Sequence, residues 1–325
     1  MPGRNIDGVL VQWGERLFYP GNRIVRALPL PSLQVRAALI RKRIATLVRR
    51  APQVIVRATG GGKGMVAIAG HLGYITRNGR LEFEDDRGTT RAGKEAMDDL
   101  LDQWRYSGKL IAETSNRRES LHLMLAMPAG TDPQQLRQAV REFARIELAG
   151  HRYVMVLHKD QASPHVHLCA RLESTTGQRL SHGRGDLKRW RETLADALGR
   201  QGIEADATYQ SVRGETRNFE PLWRLKAREQ GNLKTSMAPT KSGPAFEKTH
   251  NDTLKIWANI LLALNESERA DDRKLLSQLT DFLCHTPYIR EVLQKHPQAL
   301  PMVRRHLEAQ QKAPTRERSG PEWSR

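Results

Sequence analysis

The sequence predicts an α+β protein in which at least one pair of strands is antiparallel. Short apolar segments typical of strands alternate along the 325 residues with segments whose apolar residues recur every three or four positions, as in amphipathic helices. Two of the strand segments, 152–158 and 164–172, are separated only by a short turn. Strands joined so closely pair antiparallel, because a parallel pair needs a long crossover connection.

The elements of the first half of the chain follow from apolar spacing and from turn residues. The first helix is expected to carry its apolar residues, among them Ile40 and Ile44, on one face and its arginines elsewhere. The expected elements are a helix over about 33–50 capped by Ser32, a strand at 53–58 ended by the GGGKG of 60–64, a helix from Met65 to the Asn78-Gly79 turn, and a helix near 94–105.

The second half continues the alternation and then becomes helical. Thr131-Asp132-Pro133 supplies a helix cap followed by proline at the first helical position. The expected elements are a strand at 121–127, a helix over 133–149, the two strands around the turn, a helix over 186–199 capped by Asp186, a polar linker near 231–244, and helices near 246–265, 271–285 and 288–309.

These patterns divide the chain into five predicted segments. The strands and helices that surround a cluster of histidines form the predicted central domain. The segments are a basic N-terminal extension (1–50), the central domain (51–225), a linker (226–245), a helical C-terminal region (246–310) and a polar tail (311–325).

The chain is strongly basic. It holds 53 Lys or Arg against 36 Asp or Glu, a formal net charge of +17. Twelve of these cations lie in the first 64 residues, where Asp7 and Glu15 are the only acids. Such a surplus indicates a polyanionic partner, and its clustering favours nucleic acid over an anionic membrane.

The cysteines and the apolar runs predict the cellular environment. Cys169 and Cys284 are too few and too far apart for a disulfide scaffold, which favours a reducing compartment. No apolar run approaches the roughly 20 residues of a membrane span. The N-terminus also lacks the apolar core of a signal peptide. We therefore expect a cytoplasmic protein without membrane insertion.

HKDQASPHVH (158–167) places three histidines and an aspartate within ten residues. His165 and His167 share one strand face because they are two residues apart, and His158 ends the preceding strand. If the two strands pair, the three imidazoles meet and form a metal site with open coordination positions. Asp160 is placed to accept a ring N–H from one ligand. Each histidine taken alone is more often an ordinary surface or core residue.

Three imidazole donors do not by themselves determine which metal binds. Imidazole suits Zn, Mn, Co, Ni or Cu, whereas Mg prefers oxygen ligands. A substrate phosphate is a source of the oxygens that Mg would need.

Four regions together resemble the HUH-type relaxases, the MobA/VirD-like mobilization nucleases of conjugative plasmids, which include the endonuclease that nicks T-DNA borders. His158, Asp160, Pro164, His165 and His167 match the spacing of the family's third motif. Similarity to its first motif, its second region and the end of its nuclease domain lies in MVAIAGHLGYITRNGRLEFEDDRG (65–88), RESLHLMLAMPAGTDP (118–133) and residues 186–214. The resemblance covers about residues 50–220.

The resemblance implies an HUH endonuclease fold, a central antiparallel sheet flanked by helices, here with a basic N-terminal extension and a helical C-terminal region. It also implies a site- and strand-specific DNA nickase. Tyr74 would attack the scissile phosphate and form a 5′-phosphotyrosyl link. By resemblance the divalent metal is Mg²⁺ or Mn²⁺, with Zn²⁺ and others not excluded. Without the motif, Tyr74 is more simply an aromatic residue that ends a helix.

Other site residues and the partners are expected on the same basis. Glu119 is a candidate to hold a ligand or to take the tyrosine proton. Residues expected to contact DNA are Lys63, Arg77, Arg80, His122 and Arg184, although an exposed strand histidine is an equal reading of His122. The family's partners are single-stranded DNA at a transfer origin, relaxosome accessory proteins and a type IV coupling protein. With no helicase or primase signature, unwinding is expected to come from elsewhere.

Three alternatives make different predictions. A rolling-circle replication or transposition nuclease uses the same chemistry, but its His-x-His usually precedes the tyrosine. A cupin-like metal hydrolase would use His165, His167 and Glu173 as ligands and would need no Tyr74. A DNA-binding accessory protein would bind DNA without cleaving it.

Overall fold

The chain folds into two compact units. A computed structural model describes residues 5–19, 29–106, 109–159, 163–217, 227, 231–232 and 240–295. Residues 50–207 form one unit, here called the sheet unit. The other, here called the helical unit, is formed by residues 1–49 and 208–325 as far as they are described.

The sheet unit is built on one six-stranded sheet in the order β1-β4-β6-β5-β2-β3. Every neighbouring pair in this sheet is antiparallel. Its strands are β1 (Ile55–Gly60), β2 (Phe83–Asp85), β3 (Thr90–Arg91), β4 (Ser120–Ala126), β5 (Tyr153–His158) and β6 (His165–Arg171).

Helices cover both faces of this sheet. The helices are α3 (Met65–Thr76), α4 (Lys94–Tyr106), α5 (Pro133–Glu147) and α6 (Arg184–Arg200). α5 and α6 pack on one face, where Phe143 and Trp190 join Leu123 and Leu168 in a buried core. α3 and α4 pack on the other, where Leu72 and Trp104 contact Val156 and its neighbours. Because side chains alternate along a strand, each central strand supplies apolar groups to both layers.

The register of β5 and β6 decides where the histidines lie. His158 pairs with His165, and Val156 pairs with His167. Directly paired residues point to the same face, so the three histidines lie on the face that α3 covers. Leu157 and Val166, their neighbours in sequence, point to the α5 face and pack there.

The helical unit contains the basic N-terminal segment. Its helices are α1 (Ile6–Phe18), α2 (Leu30–Val48), α7 (Pro244–Asn265), α8 (Ala270–Cys284) and α9 (Pro287–Lys295). Leu10 of α1, Ile44 of α2 and Trp257 of α7 share one buried core. Gly14 is required where α1 crosses α2, because a Cβ there would lie 2.5 Å from Ile40 Cγ2. The N-terminal and C-terminal helices therefore stabilise each other.

The predicted fold class, an α+β fold with an antiparallel sheet between helices, is confirmed. Two predicted caps are wrong. The helix assigned to Ser32 begins at Leu30 after Pro29. The helix assigned to Asp186 has Gly183 as its cap, and the Asp186 carboxylate accepts the Gly183 N–H from inside the first turn. In both cases the helix begins before the first residue of its apolar pattern. Residues of the first turn need not be apolar, because they need not pack against the core.

Some elements were not predicted, and some predictions lie outside the described residues. α1, β2 and β3 have no counterpart in the sequence prediction. β2 and β3 have only three and two residues, which are too few to show an alternating apolar pattern. Most of the predicted linker, the end of the helix predicted at 288–309 and the polar tail fall outside the described residues. The five-segment division remains a prediction.

Two structural findings concern the cysteines and the apolar composition of the helices. Cys169 and Cys284 are both free thiols. Within the described ranges, none of the helices combines the length and the apolar composition needed to cross a bilayer.

A buried ion network holds α1, α2 and α8 together. The Arg41 guanidinium donates to Asp7 at 2.7 Å and to both carboxylate oxygens of Asp272 at 2.7 and 2.8 Å. Asp272 is fully buried and also accepts from the Ser267 hydroxyl at 2.6 Å. Burial alone would raise the pKa of Asp272, but the hydrogen bonds from Arg41 and Ser267 outweigh burial and lower it.

We expect Asp272→Asn to lower the free energy of unfolding by about 3 kcal/mol at pH 7, because it leaves a buried guanidinium poorly paired. A carboxylate whose pKa is lowered in the folded state stabilises the protein above its unfolded pKa of about 3.9. That stability is lost as the pH falls through the folded pKa. The penalty of the substitution should therefore shrink at pH 3, as measured by urea unfolding followed by circular dichroism.

Asp252→Asn is the matched control, because Asp252 lies on α7 in an exposed pair with Lys248. Its removal should leave the free energy of unfolding nearly unchanged. Equal effects of the two substitutions at pH 7 would contradict a role of the buried network.

Candidate active site

Three imidazoles converge on the α3 face of the sheet, at the paired ends of β5 and β6. The ring centroids of His158 and His167 are 4.7 Å apart, and each lies 5.1 Å from the His165 centroid. The rings are tilted by 57–76° to one another. One donor nitrogen from each ring lies within 4.8 Å of the others. Tilted rings direct their in-plane lone pairs toward a common point, which is the geometry that a shared cation requires.

Hydrogen bonds assign the nitrogens of two rings. His158 donates through Nε2 to the Ile75 carbonyl at 2.7 Å, and His165 donates through Nδ1 to the Ser163 carbonyl at 3.2 Å. A carbonyl only accepts, so the opposite nitrogen of each ring carries the lone pair. Such bonds fix the tautomer and the orientation of metal-binding histidines.

The surroundings of the third histidine, His167, perturb its ring. Burial, with a further contribution from the neighbouring His158 and His165, lowers its pKa to about 3. Its Nδ1 atom is buried and has no hydrogen-bond partner among the described residues. A neutral imidazole with an unsatisfied buried nitrogen has the state that metal binding requires. The three residues therefore fit a divalent cation.

Tyr74 lies beside this cluster. It is on α3, whose inner residues Ile68, Leu72 and Ile75 are buried against the sheet. The Tyr74 ring lies 6.2 Å from the His167 ring, centroid to centroid, and is 69% exposed. The helix therefore presents a phenol at the open side of the imidazole cluster.

The turn that follows Tyr74 is tightly specified. Arg77 and Asn78 both have left-handed backbone conformations, with φ of 53° and 57°. The Asn78 N–H donates to the Gly73 carbonyl at 2.7 Å, and the Gly79 N–H donates to the Thr76 hydroxyl at 3.1 Å. Left-handed conformations cost energy in residues other than glycine, and they persist where the surroundings impose them. These bonds fix the end of the tyrosine helix.

A second group of side chains, His71, His122, Cys169 and Ser120, lies on the same face. His71 and His122 stack with centroids 3.4 Å apart and an interplanar angle of 3°. His122 Nε2 is 3.0 Å from the Ser120 hydroxyl, which also accepts the Gly62 N–H. Burial is the main cause that lowers the pKa of His71 to about 4 and that of His122 to about 3. Burial also raises the pKa of the Cys169 thiol to about 12.

This second group also brings three donor atoms within 4.8 Å of one another. Its ring geometry differs, however, from that of the first cluster. Lone pairs lie in the ring plane, so parallel rings direct them along parallel lines that do not meet at one ion. The arrangement instead places His71 between His122 and Tyr74, since the His71 and Tyr74 rings lie 6.5 Å apart.

The other predicted site residues are placed in different ways. Lys63, Arg77, Arg80 and Arg184 are exposed on the sheet unit. His122 is only 8% exposed beneath His71, which leaves little of its ring for a contact with DNA. Asp160 lies outside the described residues.

Glu119 is not brought to the cluster. It precedes β4, whose opposite end pairs with His165. Its carboxylate accepts from Arg117 at 3.2 Å.

His71 was missed by the sequence analysis. It precedes Tyr74 by three residues on α3, so both side chains lie on the same helix face. That spacing was the available signal. The stacking partner His122 comes from a distant strand, and no sequence pattern links the two.

A histidine cluster on an antiparallel sheet with a tyrosine helix beside it fits the fold and the site of an HUH-type nuclease domain. Comparison with known families agrees. Residues 74–203 match the family model described as relaxase, MobA/VirD2-like, nuclease domain. The predicted resemblance to the relaxases is thereby confirmed, and it is carried by the segment that contains Tyr74 and the three histidines.

Individual relatives point the same way. The T-DNA border endonuclease VirD2 of Rhizobium radiobacter is 27% identical over 183 residues, 50% of this chain and 43% of that protein. The protein of the same name from Agrobacterium fabrum (strain C58 / ATCC 33970) is 26% identical over 227 residues, 60% of this chain and 50% of that protein. The chain thus spans half or less of the length of these curated relatives.

We expect His167→Ala to weaken binding of Mn²⁺ by more than the roughly 10- to 100-fold that loss of an outer-shell partner causes. The reason is that it removes one of three converging donors. Isothermal titration of the full chain with Mn²⁺ measures the effect. His285→Ala, at the half-exposed end of α8, is the control and should leave affinity unchanged. Unaltered binding by His167→Ala would show that the cluster does not hold the metal.

Proposed function

We propose that this chain is a site- and strand-specific DNA nickase, a relaxase that cleaves single-stranded DNA at a transfer origin by tyrosine attack. The observation that carries the proposal is the distance of 6.2 Å between the rings of Tyr74 and His167. An exposed phenol beside three converging imidazoles places a nucleophile and a cation site within reach of one phosphodiester. The match of residues 74–203 to the relaxase nuclease domain supports the same conclusion.

The proposed reaction is a transesterification. The Tyr74 oxygen attacks phosphorus, a bond forms between them, and the bond from phosphorus to the 3′ oxygen breaks. The products are a 5′-phosphotyrosyl link and a 3′ hydroxyl, which takes up one proton. The phenol has an ordinary pKa of about 10, so its proton must leave to a nearby base or to solvent during the attack.

The metal ion and the polar residues around Tyr74 each have a proposed role. When bound at His158, His165 and His167, a divalent cation supplies positive charge that offsets the negative oxygens of the phosphate. We propose Mg²⁺ or Mn²⁺ by resemblance, although three imidazoles alone also suit Zn²⁺. Asp160 is proposed to accept a ring N–H from one of the histidines. The exposed cations Lys63, Arg77, Arg80 and Arg184 are proposed to bind backbone phosphates of the strand.

For Glu119 and His122 we propose structural roles, on the basis of their positions. Glu119 is paired with Arg117 at the far end of β4, so we propose that it stabilises the sheet end rather than the tyrosine. His122 is proposed to support His71 and, through it, the tyrosine helix. Both assignments replace the more direct catalytic or DNA-binding roles predicted from sequence alone.

Rejoining is proposed to reverse the same bond. The 3′ hydroxyl would attack the phosphotyrosine and release Tyr74, which needs no second tyrosine. While the covalent link persists, the chain would remain attached to the 5′ end and would accompany the strand in mobilization. Relaxosome accessory proteins and a type IV coupling protein are proposed partners on the basis of the family resemblance.

The geometry disfavours the cupin-like alternative. Glu173, one of its three ligands, lies beyond the end of β6 and accepts from Arg117 at 2.6 Å. His158 takes the third place in the cluster instead. A binding-only accessory protein would give no reason for an exposed tyrosine to lie beside the histidines.

We expect Tyr74→Phe to abolish the covalent adduct, with a fall of at least roughly 10⁴-fold in its rate of formation, because the nucleophilic oxygen is lost. Binding of the same oligonucleotide should persist. The measurement uses single-stranded oligonucleotides that tile the origin region of the parent replicon, with and without Mn²⁺ or Mg²⁺. Adducts are resolved on denaturing gels.

Tyr106→Phe is the matched control, since Tyr106 is also 69% exposed but lies at the end of α4. It should form the adduct at the rate of the unaltered chain. Full adduct formation by Tyr74→Phe would exclude Tyr74 as the nucleophile, and full-rate nicking by His165→Ala and His167→Ala would exclude the metal site.

A further inference from the structure

A groove of about 290 Å³ lies on the α5 face of the sheet, behind the histidine cluster. Leu157 and Val166 line its floor, and each is a sequence neighbour of a cluster histidine that points to the opposite face. Lys159, directly after His158, and Arg80, in the turn after the tyrosine helix, line its rim. Two residues of its rim thus follow, in sequence, the elements that carry His158 and Tyr74.

The groove carries a net positive charge. Arg137 on α5 lines it together with Arg80 and Lys159, and within the described ranges none of the three forms a salt bridge. The Nε atom of Arg137 is buried and lacks a hydrogen-bond partner among the described residues. One turn further along α5, by contrast, both oxygens of Glu84 accept from Arg141. A buried guanidinium N–H without an acceptor is costly, so its position indicates an anionic ligand.

The remaining lining fits the other part of a nucleotide. Leu157, which is partly exposed, offers an apolar surface against which the flat face of a base can pack. Glu82, an exposed carboxylate at the rim, is an acceptor for the exocyclic amino group of a base. Unpaired cations, an apolar side chain and the acceptor Glu82 match a phosphate joined to a base better than an inorganic anion.

We propose that this groove is a nucleotide subsite for the DNA strand engaged at Tyr74. Arg137 and Arg80 hold one backbone phosphate, and the attached base lies against Leu157. The inference rests on the proposed function, because it gives the nickase a second contact along the same strand. On this proposal, contacts on the α5 face contribute to the selectivity for the cleavage site.

The test compares Arg137→Gln with Arg145→Gln, which removes the same charge from an exposed position two turns further along α5. Affinity for a single-stranded origin oligonucleotide is measured by fluorescence anisotropy over a range of salt. We expect Arg137→Gln to raise Kd about 10-fold. It should also reduce the slope of log K against log salt by about 0.7, the loss of one phosphate contact on a single strand. Arg145→Gln should change neither.

A scan of neutral methylphosphonates along the oligonucleotide locates the phosphate. One position should weaken binding of the unaltered chain but not weaken binding of Arg137→Gln further, because both changes remove the same contact. Arg80→Gln, an exposed substitution, should show the same non-additivity and guards against misfolding of the Arg137 variant.

The outcomes separate this inference from the proposed function. If the chain forms the adduct and no methylphosphonate position couples to Arg137 or Arg80, the subsite is wrong and the nickase proposal stands. If coupling appears at one position but no adduct forms on any oligonucleotide, the subsite stands as a DNA-binding site and the nickase proposal is wrong.

Discussion

The hydrogen bond from His158 Nε2 to the Ile75 carbonyl is the contact on which the site depends. Ile75 lies in the last turn of α3, where carbonyl groups have no partner within the helix. The imidazole satisfies one of these carbonyls and, in doing so, directs its own lone pair toward His165 and His167. The same bond ties the helix that carries Tyr74 to the strand that carries the metal-binding candidates. The proposed nucleophile and the proposed cation site are thus positioned by one interaction.

The α3 face of the sheet holds two histidine groups that differ in ring geometry rather than in composition. Tilted rings converge in the cluster of His158, His165 and His167. Parallel rings stack in the pair of His71 and His122. Both groups lie among apolar residues, and burial keeps the perturbed imidazoles neutral. The surroundings are therefore shared, while ring orientation distinguishes the proposed cation site from the proposed support for the tyrosine helix.

The charge of the chain is distributed less simply than its net value indicates. Arg41 belongs to the basic N-terminal segment, yet its charge is paired with Asp7 and Asp272 in salt bridges within the helical unit. Several arginines of the sheet unit are likewise paired, such as Arg141 with Glu84 and Arg189 with Glu147. The clustered positive charge at the N-terminus is in part structural. Cations that form no salt bridge within the described residues, such as Arg137, are better candidates for the proposed DNA contacts.

The sequence alone determined the fold class, most helices and central strands, and the group of His158, His165, His167 and Tyr74. It could do so because alternation and helical spacing are local, and because a histidine hairpin brings its residues together through strand pairing. Tyr74 was assigned only by the resemblance of its motif to that of the relaxases. Only the tertiary structure decided that Glu119 lies far from the cluster, that His71 stacks on His122, and that a charged groove opens behind the histidines. These features join residues distant in sequence, and no local pattern encodes how separate elements pack.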